Sequence, residues 1–364
     1  MKKAMIIFLG AIISLAAHAQ EKPPGFEVIA YYAGNGDNIE QYDIGKLTQI
    51  IFSFLHLKDD TLHFPSPARE EALRKVAALK QKFPALKVLV SLGGWGGCAT
   101  CSDVFANEEG RKNFAASVAR IMKTYEVDGI DLDWEYPTIP GYPGHKYQPA
   151  DKDNFTDLII RIREAIGPKG ELSFAAGGFT RFLEESVDWD AIMPHLNRVN
   201  LMTYDLVHGA SKTTGHHTAL MSRAEQQEST DHCVQWLLNK KVPAEKLVIG
   251  AAFYARVFEN VSRTNWGLFQ SATFKRSINY KDFALLEPDL GWAHQWDDSA
   301  LAPFAFHKTE NLFATYDNNM SLYEKVKYAR RYGLGGIMFW ELTCDAPRNG
   351  LLQALHEAVE KTRP

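Results

Sequence analysis

Short apolar runs rich in β-branched residues recur along the chain, separated by stretches whose apolar positions repeat at three and four. The runs are VIAYYAG (28–34), QIIFSFLHL (49–57), KVLVSLGGW (87–95) and GIDLDWEY (129–136), then LSFAAGGF (172–179), RVNLMTYD (198–205), KLVIGAAFYA (246–255) and GGIMFWEL (335–342). Near-continuous hydrophobicity marks strands covered on both faces, as in a parallel sheet. Between them the spacing predicts amphipathic helices. SPAREEALRKVAALKQKF opens with Ser66 as N-cap and Pro67 at the first helical position. RKNFAASVARIMKTYEV and NFTDLIIRIREAIG carry the helical repeat. SLYEKVKYARRYGLGG pairs Ser321 with Glu324 as a capping box and ends in glycines. Eight strands alternating with helices predict an α/β fold, a (β/α)8 barrel. A doubly wound sheet also alternates, but no glycine fingerprint follows the first strand.

One connection breaks the rhythm. Between strands seven and eight the chain runs far beyond the ~10–12 residues a crossover needs. The stretch 257–311 holds Trp266, Phe269, Phe274, Tyr280, Phe283, Trp292, Trp296 and Phe304 among alternating apolar positions. It predicts a small α+β insertion that walls one side of a cleft, with Trp292 and Trp296 divided between its own core and the cleft. Trp189 and Trp236 fall in helical patterns and are expected in the core or on a helix surface.

The first residues read differently. Lys2 and Lys3 precede an apolar run to Ala17, followed by Ala17-His18-Ala19. That is the pattern of a secretory leader cut after Ala19, too short to span a membrane. Residues 20–364 then form the barrel domain, secreted or periplasmic. Hydrophobic residues are 46% and charged residues 23%, an ordinary globular balance. A net charge of -4 argues against a nucleic-acid or membrane partner. Export changes the meaning of the cysteines. Cys98 and Cys101, in GGCATCSDVF, are spaced for a local disulfide that stiffens a loop, with Cys233 and Cys344 free. A zinc knuckle needs a second pair, and a redox motif lacks its context.

In such barrels function sits where strands end at the C-terminal face. Strand three ends SLGGW, strand six MTYD and strand eight FWE. Strand four ends in DGIDLDWEYP, where Asp131, Asp133 and Glu135 alternate with Ile130, Leu132 and Trp134. Alternation puts three acids on one face and three large apolar groups on the other. Acids along one strand form a row rather than a shell around an ion, so no metal or cofactor is implied. Carboxyls buried together have raised pKa values, and a carboxylic acid still protonated near neutrality suits donation to a glycosidic oxygen. Aromatic company suits the apolar faces of sugars.

SLGGW together with DGIDLDWEYP resembles the two signature motifs of family 18 glycoside hydrolases, the chitinases. The likeness continues through NLMTYD, GAAFYAR and GGIMFWEL, and the insertion resembles that of the bacterial subgroup with deep clefts. The resemblance implies Glu135 as general acid, Asp133 as the residue holding the substrate's N-acetyl group, and Asp131 as its charge-sharing partner. Tyr204 matches the phenol that hydrogen-bonds the acetamido carbonyl, with Met202 and Asp205 beside it. Trp340 matches the floor under the −1 sugar, and Tyr31, Phe54, Trp95 and Arg256 match other subsite walls. The ladder holds no separate nucleophile, so the resemblance implies substrate assistance, the acetamide forming an oxazolinium ion.

The expected partner is chitin or chitooligosaccharide, met by a monomer. An endo-β-N-acetylglucosaminidase acting on N-glycans is the alternative. A non-catalytic lectin is remote, because such proteins lose the final acid and Glu135 is present. His216 and His217 lie in TGHHT after strand six, where bracing the loop is favoured over touching substrate, and no third ligand suggests zinc.

Overall fold

The computed structural model describes residues 25–363, so the expected leader at 1–19 lies outside the described residues. The eight apolar runs become eight parallel strands: β1 Glu27–Tyr32, β2 Gln49–Lys58, β3 Lys87–Gly93, β4 Gly129–Asp133, β5 Glu171–Gly177, β6 Arg198–Met202, β7 Leu247–Ala252 and β8 Gly336–Trp340. Each pairs with its sequence neighbour, and β1 pairs with both β2 and β8, which closes the barrel. Several strands stop before their apolar run does. Beyond β4, β6 and β8 the chain stays largely apolar after leaving the hydrogen-bonded ladder, with Trp134 and Leu342 in the outer core and Tyr136 and Tyr204 half-buried.

The period of two then sorts the side chains. Ile29, Ile51, Leu89, Val248 and Met338 fill the barrel interior. Their neighbours Val28, Ile50, Val88 and Ile337 pack outward against the helices. In β4 the same rule sends Ile130, Leu132 and Trp134 outward into that layer. Burying each such side chain contributes about 1.5–3 kcal/mol. The price is that Asp131 and Asp133 must point into the barrel, where both are buried.

The helices follow their caps. The first, Pro67–Lys82, starts as expected, with the Ser66 side chain accepting from Arg69 N–H. The helix before β8 does not. It runs Asn319–Arg331, and its capping box joins Asn318 to Ser321 rather than Ser321 to Glu324. Asn318 accepts from the Met320 and Ser321 N–H groups, so the helix nucleates one turn early and Glu324 is left to pair with Lys327. Trp189 is buried, its indole N–H bonded to the Leu183 carbonyl, with Trp236 beside it.

The segment between β7 and β8 folds into five antiparallel strands: Tyr254–Glu259, Thr273–Asn279, Trp292–Asp297, Ala302–His307 and Leu312–Thr315. Its helical part is limited to 3-10 turns, among them Tyr280–Leu286. Trp292 is buried in the insertion's own core with Ala255, Val257 and Leu312. Two anchors fix this sheet to the barrel. Just past the central strand, Leu312–Thr315, Asp317 accepts from Ala252 N–H of β7 at 2.9 Å and pairs with Lys325 at 2.7 Å, both side chains fully buried. At the edge strand Trp292–Asp297, Asp297 meets His216 Nε2 at 2.9 Å and accepts from Arg223 at 2.7 Å. His216 therefore braces its loop. The structure joins Cys98 to Cys101 in a disulfide, and Cys233 and Cys344 are free and buried.

Candidate active site

Asp131 sits at the hub of the barrel mouth. Its Oδ2 accepts from the Tyr31 hydroxyl at 2.9 Å and from Ser91 at 3.2 Å. Its Oδ1 accepts from Ser173 at 2.7 Å and Asn200 at 3.0 Å. Four strands thus converge on one carboxyl. Burial raises its pKa above the ordinary carboxylate value, although all four donors work against that.

Asp133 has the opposite surroundings. Among the described residues its Oδ1 is buried with no hydrogen-bond partner. Burial, then the negative charges of Glu135 and Asp131, push its pKa well up. Glu135 is pushed up to about 7, by burial first and by the charge of Asp205, with the Tyr136 hydroxyl opposing. Both carboxyls are thus held above the ordinary carboxylate range, Asp133 by burial and its acidic neighbours and Glu135 by burial and Asp205.

Asp205 goes the other way. Burial disfavours its charge, but contacts from His217 and Arg256 hold its carboxyl well below the usual range. Arg256 Nε meets Asp205 Oδ1 at 2.7 Å while its second nitrogen meets Oδ2, the two-pronged geometry that suits a guanidinium. His217 is fully buried with Nδ1 3.5 Å from the same carboxylate, so the second histidine of the pair reaches the site through Asp205. Arg256 comes from the first strand of the insertion, so the insertion supplies part of the site's charge. Tyr204 is half-buried beside it, its ring 6.4 Å from that of Tyr254.

Aromatic rings form a floor. Trp340, the last residue of β8, stacks on Phe54 with centroids 5.5 Å apart and planes 15° apart, and tilts against Tyr31 at 5.8 Å. Met202 joins the same cluster. The glycines of SLGGW are required by contact. A Cβ on Gly93 would lie 2.2 Å from the Asp133 carbonyl oxygen, and one on Gly94 2.4 Å from the Phe54 ring, both at positive φ. Trp95 follows them and stands 59% exposed at the rim. Sequence reasoning passed over Glu341. Its carboxylate accepts from Ala33 N–H and Thr343 N–H, each at 3.1 Å, which locks the end of β8 to the end of β1. Its place directly after Trp340 was the available signal.

The sequence profile described as glycosyl hydrolases family 18 matches residues 27–345, which takes in all eight barrel strands and the insertion. The chain belongs to glycosyl hydrolase family 18. This family 18 chain is 33% identical over 305 residues to Chitinase A1 of Niallia circulans, an alignment covering 77% of the chain and 43% of that relative. It is 29% identical to Chitinase B of Serratia marcescens, over 87% and 77% of the two chains. Among solved structures, a family 18 N-acetylglucosaminidase from Paenibacillus barengoltzii superposes with a TM-score of 0.82 at 33% identity. That superposition covers 92% of this chain and 99% of that one. The family 18 chain spans less than half the length of Chitinase A1.

Proposed function

We propose that this protein hydrolyses β-1,4-linked N-acetylglucosamine chains, chitin and its oligosaccharides, by a retaining reaction in which the substrate supplies the nucleophile. The observation that carries this is the unequal occupancy of four carboxyls around one mouth. Asp131 is taken by four donors and Asp205 by Arg256 on both oxygens. Neither is free to attack an anomeric carbon. Asp133 lies on the same strand end as Glu135 and not across a bond from it. What remains is one proton donor, Glu135, and one unpartnered acceptor, Asp133 Oδ1.

On this reading Asp133 accepts the acetamide N–H of the sugar lying on Trp340, and Tyr204 donates to its carbonyl. Glu135 gives its proton to the glycosidic oxygen, the C1–O bond breaks, and the acetamide oxygen closes on C1 as an oxazolinium ion. The Glu135 carboxylate then takes a proton from water, which attacks C1 and reopens the ring. Two inversions at one carbon give net retention. The names of the relatives and the aromatic floor support the substrate, and the expected leader with the Cys98–Cys101 disulfide supports export.

Chitotetraose digestion followed by proton NMR in its first minutes tests the mechanism. The β-anomer is expected first, and cellooligosaccharides, lacking the acetamide, are expected to remain uncut. An initial α-product sinks substrate assistance. A second reading is favoured by the N-acetylglucosaminidase named among the structural relatives. Release of single sugars from chitohexaose, rather than dimers and trimers, would support it. Cleavage of a high-mannose glycopeptide in the same assay would support the N-glycan alternative.

Trp340→Ala tests the floor. Removing the ring takes away about 1.5–3 kcal/mol of apolar contact with the bound sugar, which corresponds to a roughly ten- to hundredfold fall in kcat/KM. Thermal unfolding measured alongside separates this from loss of fold. Unchanged kinetics in a folded variant would move the −1 subsite elsewhere.

A further inference from the structure

Phe54 owes its direction to an irregularity in β2. Phe52 pairs with Val90 of β3, but the next pair is Leu55 with Leu92, so β2 carries one residue more than its partner between those points. A bulge of this kind re-aims a side chain and interrupts the ladder. The pairing of β1 with β2 ends at the same place, with Tyr32 opposite Phe52. Ser53 therefore lies in the gap of one ladder and past the end of the other. Ala33 and Gly34 lie past the last residue of β1. Carbonyls that leave a ladder without reaching water need another donor.

Arg69 is that donor. Its Nη1 donates to the Ala33 carbonyl at 3.2 Å and to that of Gly34, and its Nη2 donates to that of Ser53. The guanidinium carbon stands 4.1 Å from the ring centre of Phe52, which is fully buried. Local sequence brings it there. Ser66 caps the first helix on Arg69 N–H, which fixes the backbone of the third helical residue and lets its side chain reach back over the strand ends.

Each carbonyl adjoins a ring of the floor. Ser53 directly precedes Phe54, whose ring stacks on Trp340. Ala33 lies two residues past Tyr31, and its N–H is held by Glu341, the residue after Trp340. The Ala33 backbone is thus gripped on its N–H from the end of β8 and on its carbonyl from Arg69. Arg69 then carries the tie on to β2. Tyr32 steadies the same loop, its hydroxyl accepting from Gly36 N–H at 2.8 Å.

We propose that Arg69 is a positioning residue for the −1 sugar: by gathering three carbonyls at the ends of β1 and β2 it holds Phe54 against Trp340, and so sets the floor on which the sugar ring reacts. This rests on the chitin reading above. A displaced floor still binds a sugar but orients it poorly, so the loss falls on kcat more than on KM. Arg69→Met keeps an apolar stem over Phe52 and removes every donor. It is expected to lower kcat on chitotetraose about 10- to 30-fold, with KM within about 3-fold of wild type. Arg69→Lys keeps the charge but replaces the planar fork with a point donor, and is expected to lose only about 3-fold. In a Phe54→Ala background the ring that Arg69 serves is gone, and either change is expected to cost less than about 2-fold more. Thermal unfolding is followed for every variant. A folded Arg69→Met enzyme with wild-type kcat overturns the inference while the chitin reading stands. Losses that multiply in full in the Phe54→Ala background do the same, because Arg69 then acts on stability or elsewhere. Should Arg69→Met not fold, Arg69→Lys with and without Phe54→Ala decides by the same comparison. A wild type that cuts no chitooligosaccharide overturns both readings.

Discussion

Glu135→Gln is expected to lower kcat on chitotetraose by about 10²–10⁴-fold, with oligosaccharide affinity kept within a few-fold. Glutamine preserves the shape of the side chain but has no proton to give a departing oxygen. The same assignment fixes a pH profile. The acid acts only while protonated, so kcat/KM of the wild type is expected to fall as pH rises through about 7. The negative charge of Asp205 contributes to that raised value. Asp205→Asn removes the charge and leaves Arg256 uncompensated, and both changes favour the Glu135 carboxylate. The alkaline limb of the variant is therefore expected to move to lower pH. Turnover by Glu135→Gln within a few-fold of wild type would remove Glu135 as the donor. An alkaline limb that moves upward in Asp205→Asn would refute the charge argument.

The second large effect lies outside the cleft. Lys325 and Asp317 are fully buried, and Lys325 Nζ also donates to Thr218 and to the Gly250 carbonyl at 3.2 Å. Burial depresses the lysine pKa while Asp317 opposes it. Lys325→Met strands a carboxylate in the protein interior, and breaking such a pair costs about 3–5 kcal/mol. Thermal unfolding of Lys325→Met is expected to begin many degrees below wild type. Lys325→Met combined with Asp317→Leu is expected to recover part of the loss, because no unpaired charge then remains. A single variant as stable as wild type would show that the pair carries little of the fold.

The eight strands were legible because a barrel strand is apolar on both faces, and that pattern survives in sequence without any partner being known. The ladder was legible for a related reason. Acids alternating with Ile130, Leu132 and Trp134 conflict with burial unless the second face has work to do. The same readings overran several strand ends, since cleft-lining residues such as Tyr136 and Asp205 look like strand. Ser321 and Glu324 fit a capping box as well as Asn318 and Ser321 do, and only the backbone distinguishes them. Lys325, Asp317 and Glu341 were not legible as anchors. Their meaning depends on partners such as Gly250, Ala252 and Ala33, which lie far away in sequence. His217 was seen, but its contact with Asp205 was not, because one loop must fold over another to make it.

The wall beside the cleft is fastened at two separated points, through Asp317 to β7 and through Asp297 to the loop after β6. A lid turns about one hinge, and two fastenings on different elements oppose rotation about either one. Swinging the wall about one fastening would break the other. On the chitin reading, a chain then meets a wall already in place when the protein has folded. On that reading, residence time is expected to follow the number of sugars stacked on fixed rings rather than the opening of a gate.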